Sequence, residues 1–383
     1  MQLSTDKILT THTGSLPRPP ALLDLLKMKD DKAAVDAAAF EAATVDATSQ
    51  VVRQQIDGGI DIVNDGEMGK ISYATYVKDR LTGFDAEGEF VPMSDLFDFP
   101  EFAQRFIAQS EGVRTLKTPA CGSAVAWKDF AALQKDISRF KAALAGTEPR
   151  DTFMTAASPG VIALFLENKF YPSHEKYLDV LSGVMKEEYE AIHRAGFILQ
   201  LDCPDLAVGR HTRFAHSSTA DFIKTVELHV AAINRAVANI PADRIRLHLC
   251  WGNYEGPHHH DVPLADIIAP VLKANVGAVS IEASNPRHEH EWAVFEEVKL
   301  PPGKALIPGV IDSSTNFIEH PDLVAQRIVR FAKVVGRENV IAGTDCGFAT
   351  FAAFTPVDPA IAWAKLRSLA EGARIASAQL WGK

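Results

Sequence analysis

The stretch Arg246-Leu-His-Leu-Cys-Trp-Gly252 places an imidazole and a thiol two residues apart at the end of an apolar run. On a β-strand, residues i and i+2 point to the same face, so His248 and Cys250 would reach one point in space. Two more donors close comparable apolar runs, Glu282 in Ser-Ile-Glu-Ala-Ser284 and Cys346 in Thr-Asp-Cys-Gly347. Together they suit a tetrahedral zinc ion. Taken singly, each reads as a satisfied core histidine or a small buried residue. Structural zinc sites usually draw close pairs such as Cys-x2-Cys from one short module. Ligands from three separated strands point instead to a catalytic site. Two thiolates also lower the Lewis acidity of zinc, which favours presenting a thiolate nucleophile over activating water, so thiol alkylation is the expected chemistry.

Other polar residues gather at the ends of apolar runs: Thr13, Gly14 and Ser15, Asp65 and Glu67, Asp202, Asp312 and Asp345. A lone strand-end aspartate is most often a cap for the next helix, and Asp312 is read that way. Glu67 and Asp202 begin no obvious helix and are expected to act in the site. His258-His-His260 follows the metal strand, and His288 and His290 follow Glu282. These are surface loop residues unless His258 or His288 reaches the pocket, where an imidazole could supply a proton.

Positioning such a set requires strands that end together. Apolar runs at about 8–13, 60–67, 152–158, 197–203, 245–251, 278–284, 305–312 and 340–346 read as strands. Helical spacing intervenes at 34–57, 128–144, 174–194, 219–239, 264–275, 289–298 and 321–335, and a last helix runs from 359 to the C-terminus. Eight alternating units predict an α/β fold, a (β/α)8 TIM barrel, with an open parallel sheet as the alternative. Residues 70 to 126 break the rhythm and are expected to form an insertion between the second and third strands, with a possible hairpin over Thr115 to Val125. No linker-like or repeated segment divides residues 1–383, so a single zinc-binding barrel domain is expected. Such barrels collect their chemistry at the C-terminal ends of the strands.

Composition narrows the classes. Across 383 residues, 47% are hydrophobic and 23% charged, enough for a large core. The formal charge of −10, with no basic run, argues against a nucleic-acid partner. No apolar stretch reaches membrane-spanning length and the N-terminus lacks the marks of a signal peptide, so a cytoplasmic protein without membrane partners is expected. Four scattered cysteines, 121, 203, 250 and 346, do not make a disulfide framework and are expected to be reduced. No Gly-x-Gly-x-x-Gly follows the first strand, so a dinucleotide site has no support.

From Thr-Gly-Ser15 through His-x-Cys250 and Ile-Glu-Ala-Ser284 to Asp-Cys-Gly347, nearly the whole chain resembles the catalytic barrel of the cobalamin-independent methionine synthases, in a short single-barrel form. The resemblance implies zinc held by His248, Cys250, Glu282 and Cys346. It implies that Ser15, Glu67 and Asp202, with Thr13 and Gly14 beside them, hold a homocysteine-like thiol, which is methylated to methionine. The chain departs from the family at two places. The motif that carries its histidine proton donor reads Gly309-Val-Ile-Asp-Ser-Ser-Thr315 here, and Pro159-Gly-Val-Ile-Ala-Leu-Phe165 lacks the tryptophan that meets the folate ring. The alkyl donor is therefore left open. Epoxyalkane:coenzyme M transferases use similar ligands, so alkylation of another small thiol is an alternative, as is a barrel that binds zinc or a ligand without turnover. A metal-free decarboxylase barrel would give His248 and Cys250 no use. A homo-oligomer is compatible with the sequence.

Overall fold

A computed structural model describes residues 1–89, 93–109, 119–352 and 354–382. In chain order it contains β1 (Leu9–Thr10), α1 (Pro20–Asp30), α2 (Ala37–Asp57), β2 (Ile62–Val63), α3 (Val77–Arg80), β3 (Ala86–Glu87), α4 (Pro100–Gln109), β4 (Pro119–Ala120) and α5 (Phe130–Ala143). The regular half follows: β5 (Asp151–Ala157), α6 (Pro159–Phe165), α7 (His174–Arg194), β6 (Ile198–Asp202), α8 (Thr219–Ala236), β7 (Ile245–His248), α9 (Leu264–Val271), β8 (Ala278–Ile281), α10 (Val294–Glu297), β9 (Ala305–Ile311), α11 (Pro321–Val335), β10 (Ile341–Thr344) and α12 (Pro359–Trp381).

Eight strands form one parallel sheet in the order β1-β10-β9-β8-β7-β6-β5-β2. Its two ends approach each other through Asp61 N to Thr10 O at 3.2 Å and Thr11 Oγ1 to Ile62 O at 3.1 Å. The sheet thus curls into the (β/α)8 barrel that the alternation predicts. Between β2 and β5 lies the insertion, where β3 pairs with β4 antiparallel and a turn of 3-10 helix spans Ser94–Asp98. Part of the hairpin expected over Thr115 to Val125 lies outside the described residues. Its described part, β4, pairs back to Ala86–Glu87.

Several boundaries differ from the sequence expectation for identifiable reasons. Pro159 does not merely close a strand: the Ser158 hydroxyl accepts from Val161 N, and Pro159 takes the first turn of α6, where a missing N–H costs nothing. Pro20 likewise opens α1, a helix that the proline-rich run concealed. The helix expected from Ala34 begins at Ala37, after the Asp36 carboxylate caps Ala38 N and Ala39 N.

Strand parity divides the barrel interior into levels. At the bottom Leu9, Ile62, Phe153, Ile198, Ala278, Ala305, Ile307 and Ile341 pack into one apolar cluster, with Met1 and Leu3 against it. Above it lies a polar level built on Arg246. The guanidinium gives Nε to Gln200 Oε1 at 2.7 Å, Nη1 to Thr11 Oγ1 at 2.9 Å and Nη2 to His12 O at 2.7 Å, and stacks 3.5 Å from the Phe153 ring centroid. Burial lowers Arg246 to about 9. One level higher the register aligns Asp202 with His248 and His248 with Ser280 on neighbouring strands. The second, larger apolar layer lies between the barrel and its helices.

Candidate metal centre and substrate cavity

His248 ends β7, Cys250 lies two residues beyond it, and Cys346 lies two residues beyond the end of β10. Their donor atoms all fall within 4.8 Å of one another, and all three residues are buried. His248 Nδ1 is 3.2 Å from Ser280 Oγ, while its Nε2 is buried without a hydrogen-bond partner among the described residues. Burial, reinforced by Arg246, lowers His248 to about 3, which keeps the imidazole in the neutral form that ligates metals. The Cys346 thiol faces Cys250 Sγ at 3.9 Å. Two thiolates about 2.3 Å from a tetrahedral ion stand about 3.8 Å apart, so this spacing fits zinc without rearrangement. Hydrogen bonding to Cys346 and burial hold the Cys250 thiol well above its ordinary value. A divalent cation between the two sulfurs would reverse that balance.

Glu282 does not join this cluster. Its Oε1 accepts from Trp251 N at 2.9 Å and its Oε2 from Asn285 Nδ2 at 2.8 Å. Burial and the neighbouring Cys250 push its carboxyl well above the usual range. The loop that carries it is cradled by Asp345, whose Oδ1 accepts from Ala283 N and Ser284 N and whose Oδ2 accepts from Asn285 N. Gly309 permits this approach, since a Cβ there would stand 2.2 Å from Asp345 Oδ1.

The acids meet the metal cluster in a narrow cavity of about 20 Å³, room for a water-sized guest, lined among others by Thr13, Ser15, Glu67, Asp202, His248, Cys250 and Cys346. Glu67 holds a left-handed backbone (φ +58°), unusual for a residue with a side chain. Its Oε1 accepts from Thr155 Oγ1 at 2.6 Å, and its Oε2 is buried with no partner among the described residues. Lys70 Nζ in turn donates to Thr155 Oγ1 at 2.9 Å. The lysine can only donate, so the single hydroxyl proton of Thr155 is committed to Glu67. Asp202 Oδ1 accepts from Gln200 Nε2 at 2.7 Å, and burial with the nearby Glu67 carboxylate holds Asp202 well above the carboxylate range. Gly14 (φ +145°) lies against this pair: a Cβ there would stand 2.6 Å from Thr155 Cγ2 and 3.3 Å from Glu67 Oε1.

A larger cavity of about 370 Å³ opens beside the first, walled by residues 252–258, Glu282, residues 285–287, residues 312–315 and Asp345. Asp312 accepts from the N–H and hydroxyl groups of Ser314 and Thr315, so it fastens a turn. His258 lines this cavity, but its nitrogens are taken by Asp261 Oδ2 at 2.8 Å and Tyr254 O at 3.0 Å. His288 does not line it. The His288 ring stacks on Trp251 with centroids 4.0 Å apart and bonds Glu291 at 2.8 Å and Asp261 at 2.9 Å. The two carboxylates outweigh its burial and raise His288 to about 10, so it is a fixed imidazolium buried behind Trp251.

Sequence reasoning did not single out Thr155, Lys70, Gln200, Ser280 or Tyr73, although Tyr73 lines the acid cavity, Thr155, Gln200 and Ser280 bond Glu67, Asp202 and His248, and Lys70 bonds Thr155. A signal was available for three of them. Thr155, Gln200 and Ser280 are polar residues at inward positions of otherwise apolar strands.

A sequence model of the cobalamin-independent synthase catalytic domain matches residues 166–364, more than half of the chain. The methionine synthase of Thermococcus kodakarensis is 24% identical over 372 residues, covering 97% of this chain and 94% of its own. That of Pyrococcus furiosus is 25% identical over 366 residues, covering 95% and 91%. In three dimensions the chain superposes on a B12-independent methionine synthase from Shewanella sp. W3-18-1, solved with selenomethionine, with a TM-score of 0.76 at 19% identity over 98% of this chain and all of the other. This last likeness concerns the fold.

Proposed function

The chain belongs to the cobalamin-independent methionine synthase family, and from that premise we propose that it methylates the thiol of homocysteine at a zinc ion held by His248, Cys250 and Cys346. The observation that carries this reading is the meeting, in one buried cavity, of two cysteine thiols and an unpartnered imidazole nitrogen with the unpartnered carboxylate oxygen of Glu67 and with Asp202. Zinc bound there would keep a substrate sulfur deprotonated and nucleophilic at neutral pH. The Ser280 hydroxyl at Nδ1 fixes the His248 ring so that Nε2 faces the two sulfurs. Glu282 is held by Trp251 N at one oxygen and Asn285 Nδ2 at the other, bonds that would orient the carboxylate and leave lone pairs with which it would serve as a fourth ligand. Glu67 and Asp202 receive the substrate ammonium, with Thr13 and Ser15 lining the same cavity and Gly14 packed against Glu67.

Two buried carboxylates favour an ammonium-bearing thiol over one that ends in a sulfonate, because an anionic head group would meet uncompensated negative charge. This separates homocysteine from coenzyme M. The larger cavity is the place for the alkyl donor, which brings its methyl group to the sulfur from the side of residues 252–258. The sulfur lone pair forms the new S–CH3 bond as the bond between methyl and donor breaks, and the donor leaves with that electron pair.

The test combines metal analysis with turnover. Purified protein should contain about one zinc per chain and form methionine from homocysteine with methylcobalamin or methyltetrahydrofolate, and it should not open an epoxide with coenzyme M. Cys250→Ser should lose zinc and activity together. Full turnover by a metal-free Cys250→Ser protein would rule the assignment out.

A further inference from the structure

A second cluster of metal-ligating side chains lies on the surface, where the insertion meets the loop after β7. His259 Nε2 and His260 Nε2 converge on one atom, Asp98 Oδ2, at 2.8 and 2.9 Å. The three donor atoms lie within 4.8 Å of one another. They come from two segments far apart in the chain, the 3-10 turn Ser94–Asp98 and the loop at 258–260. His260 Nδ1 lies 3.0 Å from Ser94 Oγ, the outer-shell arrangement that fixes the tautomer and aim of a ligating histidine. The His259 ring rests edge-on against Phe99, with centroids 5.4 Å apart. The side chains are 37%, 39% and 50% exposed, so an ion could reach them from solvent.

The neighbouring residue holds the same two segments together from below. Asp95 is buried, and its Oδ2 accepts from the Tyr254 hydroxyl and from His258 N. The turn is therefore docked independently of any ion, and the three donors are gathered in advance. In a tetrahedral complex, nitrogen and oxygen ligands at about 2.0–2.1 Å stand about 3.3 Å apart. The observed spacing of 2.8 to 2.9 Å needs to widen by only about half an ångström, within the reach of exposed side chains.

We propose that Asp98, His259 and His260 form a second binding site for a divalent transition metal, distinct from the buried cluster, that clasps the insertion to the loop walling the larger cavity. Two imidazoles and a carboxylate suit Zn2+, Co2+, Ni2+ or Cu2+ and disfavour Mg2+ and Ca2+. Solvent completes the coordination, so the ion acts as a fastener. The proposal does not depend on the methyl-transfer reading.

The experiment uses untagged full-length protein already loaded at its buried site with one equivalent of zinc. Titration with Co2+, followed by visible absorption and calorimetry, should reveal one further equivalent per chain in the wild type and none in His259→Ala/His260→Ala. Ser94→Ala, which removes only the hydroxyl at His260 Nδ1, should weaken this binding by about tenfold. Added Co2+ should slow tryptic cleavage after the exposed Arg105 of α4 in the wild type and leave the rate in the double variant unchanged. Identical titrations of wild type and double variant would overturn the site, and binding without protection of Arg105 would overturn the clasp.

Discussion

Replacing Glu67 by Gln keeps the size of the side chain and its bond from Thr155 Oγ1, and removes one charge from the acid pair. If the Glu67–Asp202 pair receives the ammonium of the substrate, that charge matters only for thiols that carry an amine. Losing one partner of a desolvated charge pair costs about 2–5 kcal/mol. Asp202 remains in the cavity and retains part of the attraction, so the lower half of that range applies. This corresponds to a fall in kcat/KM for homocysteine of about 30- to 300-fold at 1.4 kcal/mol per decade. The informative assay compares homocysteine with 4-mercaptobutanoate, the same thiol without the amine. For that thiol Glu67→Gln should change kcat/KM by less than about threefold, because no ammonium is lost and the repulsion between two carboxylates is relieved. The preference of the wild type for homocysteine should therefore collapse in the variant while zinc content stays constant. Equal losses for both thiols, or loss of zinc, would refute the role in amine recognition.

Ser280→Ala frees His248 Nδ1 and should weaken zinc binding by about tenfold while leaving the fold intact, as read by competition with a chelating dye. Arg246→Met leaves the partners at Gln200, Thr11 and His12 unsatisfied inside the barrel, and chemical denaturation should show a loss of about 2–4 kcal/mol. A change under 1 kcal/mol would mean that the polar level contributes little. The His288 imidazolium makes a pH prediction. Its value is raised from 6.5 to about 10 by Asp261 and Glu291, so its contribution is complete below about pH 6.5 and is lost as pH rises toward 10. Wild type should lose more stability than His288→Gln between pH 7 and 10, by on the order of 3–5 kcal/mol. Parallel pH profiles for the two proteins would contradict the charge assigned to His288.

The barrel was legible because its periodic signals are strong: eight apolar runs at intervals that a helix can fill. Of the helices that escaped notice, α1 and α6 did so because proline marks both an end and a beginning. Pro20 and Pro159 read as breaks, yet each occupies the first turn of a helix. Strand parity was enough to put His248 beside Cys250, but the partners of Arg246 are Gln200 on β6 and Thr11 and His12 just past the end of β1, 235 positions away for Thr11, and nothing local announces them. The same holds for Glu67. Its type and place could be read, but not the Thr155–Lys70 support that leaves one oxygen free. Glu282 is similar. Its place at the end of an apolar run and the family resemblance marked it as a candidate ligand, but not its bonds to Trp251 N and Asn285, contacts that depend on the turn of the loop after β8.

The walls of the two cavities differ in kind. The smaller one is built from strand ends locked by the interior levels of the barrel, while much of the larger one is loop, at 252–258, 285–287 and 312–315. Loops of this sort can be exchanged between barrels without disturbing the strands beneath them. Grafting 252–258 or 312–315 from a relative with another donor should retarget the enzyme and spare its metal chemistry only where the graft keeps Asn253 and Ser313, because Ser313 Oγ accepts from Cys346 N and Asn253 Nδ2 donates to Gly347 O. The loop at 285–287 is coupled as well, because the Asp345 cradle ties it to the residue next to Cys346, and a change there would be transmitted to the sulfur ligand.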